Sequence, residues 1–174
     1  MAQRFRPICG NGGKGKERIQ CIEVNQIRNK PILIICVYMP TSGGSEKTIE
    51  YHETVDLLNE LLQRYTKKHY IVIGGDKSEY LSSKAVNSRK KYILDFIDEN
   101  SLIFTMDSKS FVNSKGQDCS EIDYFLVDAS YQYCSQKNTI LDMPSNTSDH
   151  HPIAITLKVF IRNLKQLSEL NGIN

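Results

Sequence analysis

The sequence lacks the features that define several large protein classes. Its five cysteines, Cys9, Cys21, Cys36, Cys119 and Cys134, are odd in number, widely spaced and form no Cys-x-x-Cys pair. That argues against both a disulfide framework and a zinc knuckle. Cys36 stands in an apolar run and is expected to be a small buried hydrophobe. No apolar stretch reaches the roughly 20 residues that a helical membrane span needs, so no membrane partner is expected. The opening residues Met1 to Pro7 carry no apolar segment of the kind a secretory signal requires. Neither sign of charge dominates: 22 Lys and Arg face 20 Asp and Glu, a formal net charge of +2. Such a balance neither demands nor excludes a nucleic-acid partner, because a local basic patch is hidden in an average. There is no internal repeat and no low-complexity segment. These absences predict an intracellular protein, nuclear or cytoplasmic and not secreted. The sequon Asn146-Thr147-Ser148 is then a chance match.

What is present is an ordinary globular composition: 174 residues, 40% hydrophobic and 24% charged. That suits one domain with a real core. Residues 1–17 are polar, glycine-rich and basic, and read as a flexible lead-in. Residues 18–161 form the domain, and 162–174 a C-terminal tail. Arg18 to Val24 alternates like a strand. Ile32 to Tyr38 is a continuous, largely β-branched run and reads as a buried strand. Glu46 to Tyr65 keeps a helical period, with Tyr51, Val55, Leu58, Leu61, Leu62 and Tyr65 on one face. Tyr70 to Ile73 is a short buried strand stopped by Gly74-Gly75. A second helix is expected over Arg89 to Glu99, with Tyr92, Ile93, Phe96 and Ile97 inward. Further strands are expected at 103–106, 110–112, 122–127, 140–143 and 153–160. Strands outnumber helices and the helices lie between strands, which predicts an α/β sandwich with helices packed on a sheet.

Gly10 to Glu17 matches GxGxxG and nearly matches a P-loop. Both motifs need a strand before and a helix after, so that helix N-terminal amides hold phosphate. Here a strand follows, and Glu17 stands where a P-loop needs Ser or Thr. A basic lead-in is the better reading.

The informative pattern is a set of polar residues at the ends of apolar strands. Tyr38 ends one run, Asp76 and Ser78 follow another, Asp123 lies within a third, and Ser148-Asp149-His150-His151-Pro152 precedes the last. A carboxylate in an apolar strand is costly unless paired, and a histidine is the natural partner for Asp123. A carboxylate on one ring nitrogen fixes the tautomer and leaves the other free to act as a base. An aspartate on the same loop offers oxygen to a divalent cation. These are the parts of metal-assisted phosphodiester hydrolysis. Taken singly, each has a blander reading. An aspartate after Gly-Gly is more often turn chemistry, an Asp–His pair a surface hydrogen bond, and a strand-end tyrosine amphipathic packing.

Taken in order, VYMPT, IGGDKS, SEIDYFLV and SDHHPIAITL resemble the endonuclease/exonuclease/phosphatase superfamily. The intervening YHETVDLLNELLQRY resembles the helix of its retrotransposon (LINE)-type endonucleases. The resemblance runs from about Arg18 to Leu157. It implies an α/β sandwich whose second sheet is largely complete and whose first is truncated, so that 18–161 would be a partial domain. It implies Mg2+- or Mn2+-dependent hydrolysis, with DNA as the ancestral substrate and weak cation binding here. By the resemblance, His150 is the general base or phosphate-contacting histidine and Asp123 orients it. Asp149 is the metal-linked carboxylate, Asp76 positions the attacking water, and Tyr38 touches the scissile phosphate. His151 stands where the family varies and takes no role.

Two departures stand out. Ser78 occupies the place of the family's asparagine, and nothing before Arg18 resembles the strand that carries its metal-binding glutamate. Activity is therefore expected to be weak or lost through truncation. Two alternatives remain. One is a non-catalytic fragment binding nucleic acid weakly through Lys77, Arg89, Lys90 and Lys91, a cluster that is equally read as a solvated helix face. The other is a phosphatase or phosphodiesterase acting on a phosphate ester other than nucleic acid.

Overall fold

The structure is a computed structural model that describes residues 6–7, 16–26, 29–104, 109–141 and 143–159. The Gly10–Gly15 part of the glycine-rich motif and the tail from 162 lie outside the described residues.

The elements are β1 (Arg6–Pro7), β2 (Ile19–Val24), β3 (Ile32–Val37), α1 (Gly44–Tyr65), β4 (Tyr70–Gly74), α2 (Ser88–Glu99), β5 (Leu102–Phe104), β6 (Phe111–Val112), β7 (Asp118–Ser120), β8 (Leu126–Asp128), β9 (Ser135–Ile140) and β10 (Ile153–Leu157). Six strands form one mixed sheet in the order β1-β2-β3-β4-β8-β5. β3 and β4 are parallel, with Cys36 opposite Gly74, and α1 is the crossover between them, as parallel neighbours require. β8 runs antiparallel to β4, with Leu126 opposite Ile73. The carboxyl ends of β3 and β4 therefore share one sheet rim with the segment entering β8. That rim is where the site lies.

Both helices cover one face of the sheet. α1 buries Tyr51, Thr54, Val55, Leu58 and Leu62, and Leu61 and Tyr65 pack partly buried against the same core. These side chains meet Leu33, Ile35, Val37, Ile71 and Ile73 from the sheet, with Ile93 and Phe96 from α2. α2 starts at Asn87, whose side chain accepts from the Lys90 N–H at 2.7 Å, satisfying an otherwise unpaired first-turn donor. The other sheet face carries a smaller core of Val24, Ile32, Val72, Val127 and Tyr131, against which Ile155 and Leu157 of β10 pack. The expected α/β sandwich is the observed architecture. Among the described residues no helix is long and apolar enough to cross a membrane.

Several local expectations are corrected. Arg6 and Pro7, read as loose lead-in, pair with β2. The 122–127 strand is formed only from Leu126, and Asp123 belongs to an isolated bridge with Asp76. The strand expected at 140–143 instead spans Ser135–Ile140, paired with β10. Asp118–Ser120 was not foreseen as a strand; it pairs with β6. Cys36 is exposed rather than buried. The β3 run is fully covered on its helix face only, and alternate residues face the thinner side.

Candidate active site

The turn after β4 is made possible by Gly75. Its φ is +117°, and a Cβ there would lie 2.2 Å from the Val37 carbonyl oxygen. The chain therefore passes directly over the end of β3, which only glycine permits. Asp76 follows. Its main-chain oxygen accepts from the Met39 N–H at 2.9 Å, which joins the loops after β3 and β4. Its carboxylate Oδ1 accepts from the Ser78 N–H at 2.7 Å and the Ser78 hydroxyl at 3.2 Å. Ser78 sits at φ +51°, in the left-handed region where asparagine is several-fold enriched.

Asp123 faces this turn across the Asp76–Asp123 bridge. Its N–H donates to Ser110 Oγ at 2.9 Å, and the Ile122 N–H donates to the same oxygen at 3.2 Å. Ser110, fully buried, is a supporting residue that sequence reasoning missed, because nothing local marks a contact made across thirteen residues. The Asp123 carboxylate Oδ2 meets His150 Nδ1 at 2.8 Å, as the sequence led us to expect. His150 is held by its neighbours. Its N–H donates to Ser148 Oγ, and its carbonyl accepts from Asn146 Nδ2 at 2.8 Å. Its ring packs edge-on against Phe111 at 5.2 Å between centroids. The loop is fixed to β6, because the Val112 N–H donates to the Asp149 carbonyl oxygen at 2.8 Å.

The electrostatics follow from this packing. Burial pulls the His150 imidazole down, but the hydrogen bond and charge of Asp123, with the charges of Asp76 and Asp149, outweigh it. The net shift is upward from 6.5. Burial pushes the Asp76 carboxyl up from 3.8; the Ser78 N–H opposes the rise, Asp123's charge adds to it, and His150 and the Ser78 hydroxyl offset part of it.

The other expected residues divide. Tyr38 is exposed at the end of β3, beside the Asp76 turn, with the Arg18 guanidinium 5.6 Å from its ring centroid. Asp149 is exposed on the loop next to His150. His151, given no role, meets Asp118 Oδ1 at 2.9 Å. The basic cluster is corrected. Lys77, Arg89 and Lys90 are buried, and only Lys91 is exposed. Arg89 pairs with Glu79 at 3.0 Å, donates to the Pro40 carbonyl at 2.6 Å and stacks on Tyr51 at 4.0 Å. Lys90 donates to the Ser83 carbonyl. A buried charge is costly unless it finds polar partners, and these three turn inward to carbonyls, Ser83 and Glu79 instead of facing a phosphate backbone.

Among the described residues no three His, Cys, Asp or Glu side chains gather to hold a metal ion, and Asp149 stands as a single exposed carboxylate. The described residues do not form a preformed metal centre.

The fold and the comparisons agree with the endonuclease/exonuclease/phosphatase superfamily expected from the sequence. The sequence model of the family described as Endonuclease-reverse transcriptase matches residues 32–154, well over half of the chain. The chain belongs to this family. No curated protein sequence matches it. Among solved structures it is similar to the endonuclease domain of TRAS1, a telomere-specific non-LTR retrotransposon, with a TM-score of 0.65 and 14% identity, covering 82% of this chain and 62% of that one. The chain thus spans under two-thirds of that domain's length. It is also similar to the 3′ phosphatase NExo from Neisseria bound to a product DNA hairpin, with a TM-score of 0.68 and 14% identity, covering 88% of this chain and 72% of the other. A third is an AP endonuclease from Archaeoglobus fulgidus, with a TM-score of 0.67 and 15% identity, covering 89% and 72%.

Proposed function

We propose that this chain carries a phosphodiester-hydrolysing site of the retrotransposon endonuclease type, with DNA as substrate and low activity. The observation that carries the reading is the contact of Asp123 with His150 Nδ1 at 2.8 Å beside the Asp76 turn. It engages one ring nitrogen and leaves Nε2 for a reacting group. The upward shift of His150 favours its cationic form, suited to contacting a phosphate oxygen as charge develops. Asp76, raised by burial, is a stronger base than a free carboxylate and is the group to align an attacking water and take its proton. Water oxygen then bonds to phosphorus as the bond to the leaving oxygen breaks. Tyr38, exposed at the same rim, contacts the phosphate, and Ser78 steadies the Asp76 carboxylate. Asp149 is the carboxylate that would hold a divalent cation, and such a cation would offset the charge that develops on the phosphate. DNA is supported by the neighbours, two endonucleases and a 3′ phosphatase bound to a DNA product.

Low activity is expected from Ser78 in the asparagine position. A specific observation favours a second reading as a non-catalytic domain: the three cations at 77, 89 and 90 are buried and leave Lys91 alone of that cluster for a phosphate backbone. Supercoiled plasmid with Mg2+ or Mn2+ separates the two. Slow conversion to open circles, lost in His150→Ala, is the expected result. Absence of any conversion, or conversion unchanged by His150→Ala, rejects the enzymatic reading.

A further inference from the structure

The residue between Asp76 and Ser78 is a lysine whose ammonium group points inward. Lys77 is 1% exposed. Its Nζ donates to the Gly75 carbonyl at 2.9 Å and to the Tyr124 carbonyl at 2.8 Å, and it lies 4.9 Å from the Tyr124 ring centroid. Its own N–H donates to the Ile122 carbonyl at 2.8 Å. The two carbonyls that it grips belong to the neighbours of Asp76 and Asp123. We propose that Lys77 is the positioning residue of this site: a buried clamp that fixes the end of β4 to the entry of β8, and so holds Asp76 and Asp123 face to face.

Apart from the main-chain bond of the Lys77 N–H to Ile122, the other ties between these two segments are weak. The Asp76–Asp123 bridge is isolated, and the Tyr124 N–H reaches the Gly75 carbonyl only at 3.4 Å. Two carboxylates brought to adjacent strand ends also repel each other. While it is protonated, the amine behind them opposes that repulsion from a side that substrate does not reach. Burial pulls the Lys77 amine down to about 7, and the charges of Asp123, Cys36 and Asp76 resist the fall. These groups face it from the segment before β8, from β3 and from its own turn, and the Tyr124 ring, whose phenol burial holds in its neutral form, lies against it as well. Neutral or charged, the amine has N–H donors for both carbonyls. Lys77 touches no reacting atom in this scheme, so its contribution is geometry.

The inference rests on the proposed function only in taking Asp76 and Asp123 as working residues. Its test reads their placement, so a failure to nick DNA leaves it standing. In the full chain carrying Lys77→Met, amide hydrogen exchange at positions 77, 78 and 124 should accelerate about tenfold or more, the loss expected on removing two buried hydrogen bonds. Amides in the centre of β3 should keep their rates. In a chain with 13C-labelled lysine, Lys77 should titrate apart from the surface lysines, and Asp123→Asn should move its midpoint further down. Unchanged exchange at 77, 78 and 124, acceleration spread evenly over the sheet, or a Lys77 midpoint indifferent to Asp123→Asn would each overturn the proposal. If Lys77→Met does not fold, Lys77→Gln, which keeps an N–H donor, is read in the same way. Failure of both to fold also overturns it, since Lys77 would then serve the fold at large.

Discussion

Ser78 is the residue where local geometry and chemistry pull apart. Its backbone at φ +51° costs a β-substituted residue strain, and asparagine tolerates that region better than serine does. Its hydroxyl is spent on Asp76 Oδ1 at 3.2 Å and the Met39 carbonyl at 3.3 Å, so it offers little to a substrate. Ser78→Asn should therefore relieve the backbone and supply an amide donor. Loss of one preorganised donor at a developing charge typically costs ~10²–10³ in rate. A gain of about tenfold or more in initial nicking rate is expected, since restoration by a single substitution is seldom complete. No gain in a folded variant would mean that this turn does not face the reacting centre. The neighbouring identities were legible because Gly-Gly-Asp and Ser-Asp-His are short and ordered. Ser110 and the inward turn of Lys77 were not, because both depend on contacts between distant segments.

At the scale of elements, the site depends on how the loops after β3 and β4 are tied down. Gly75 allows their crossing. Gly75→Ala would place a methyl 2.2 Å from the Val37 oxygen at a φ of +117°, and should cost at least about 2 kcal/mol of unfolding free energy in urea titration. A cost below half of that would mean that the turn can rearrange. Arg89, from the first turn of α2, supports the same loops by its bond to the Pro40 carbonyl and its pair with Glu79. Removing one partner of a buried pair leaves an uncompensated charge, so Arg89→Met should lose about 3–5 kcal/mol. Replacing Glu79 by Leu as well should recover much of that loss, and additive losses in the double variant would show that the two residues act independently. Strongly patterned elements such as α1, β3 and β4 were readable from periodicity alone. Asp118–Ser120 and Ser135–Ile140 were not: their residues are polar and partnered in small two-stranded sheets, where pairing, not a core-facing pattern, makes the strand. The basic cluster misled for a related reason. Sequence shows a charge but not the direction in which a long side chain folds, and Lys77 and Arg89 carry theirs beneath the loops.

For the whole molecule, that inward charge links stability to pH. In the folded chain the Lys77 amine loses its proton near 7, whereas a lysine in the unfolded chain holds it to about 10.4. Below pH 7 both states are protonated and folding bears the full cost of burying an ammonium group. Between about 7 and 10 the unfolded chain binds more protons than the folded one, so stability rises with pH, by at most roughly 1.4 kcal/mol per unit from this group. Comparison with Lys77→Met isolates this group from every other one. That variant fills the space with an uncharged chain of similar length. It gives up the carbonyl contacts but escapes the cost of the buried charge. Its stability relative to wild type should therefore fall steadily as pH is raised from 7.5 to 9.5, by roughly 2 kcal/mol in denaturant titrations. A difference that stays constant across that range would mean that Lys77 keeps its proton in the folded chain. The cation behind Asp76 and Asp123 would then be a permanent one.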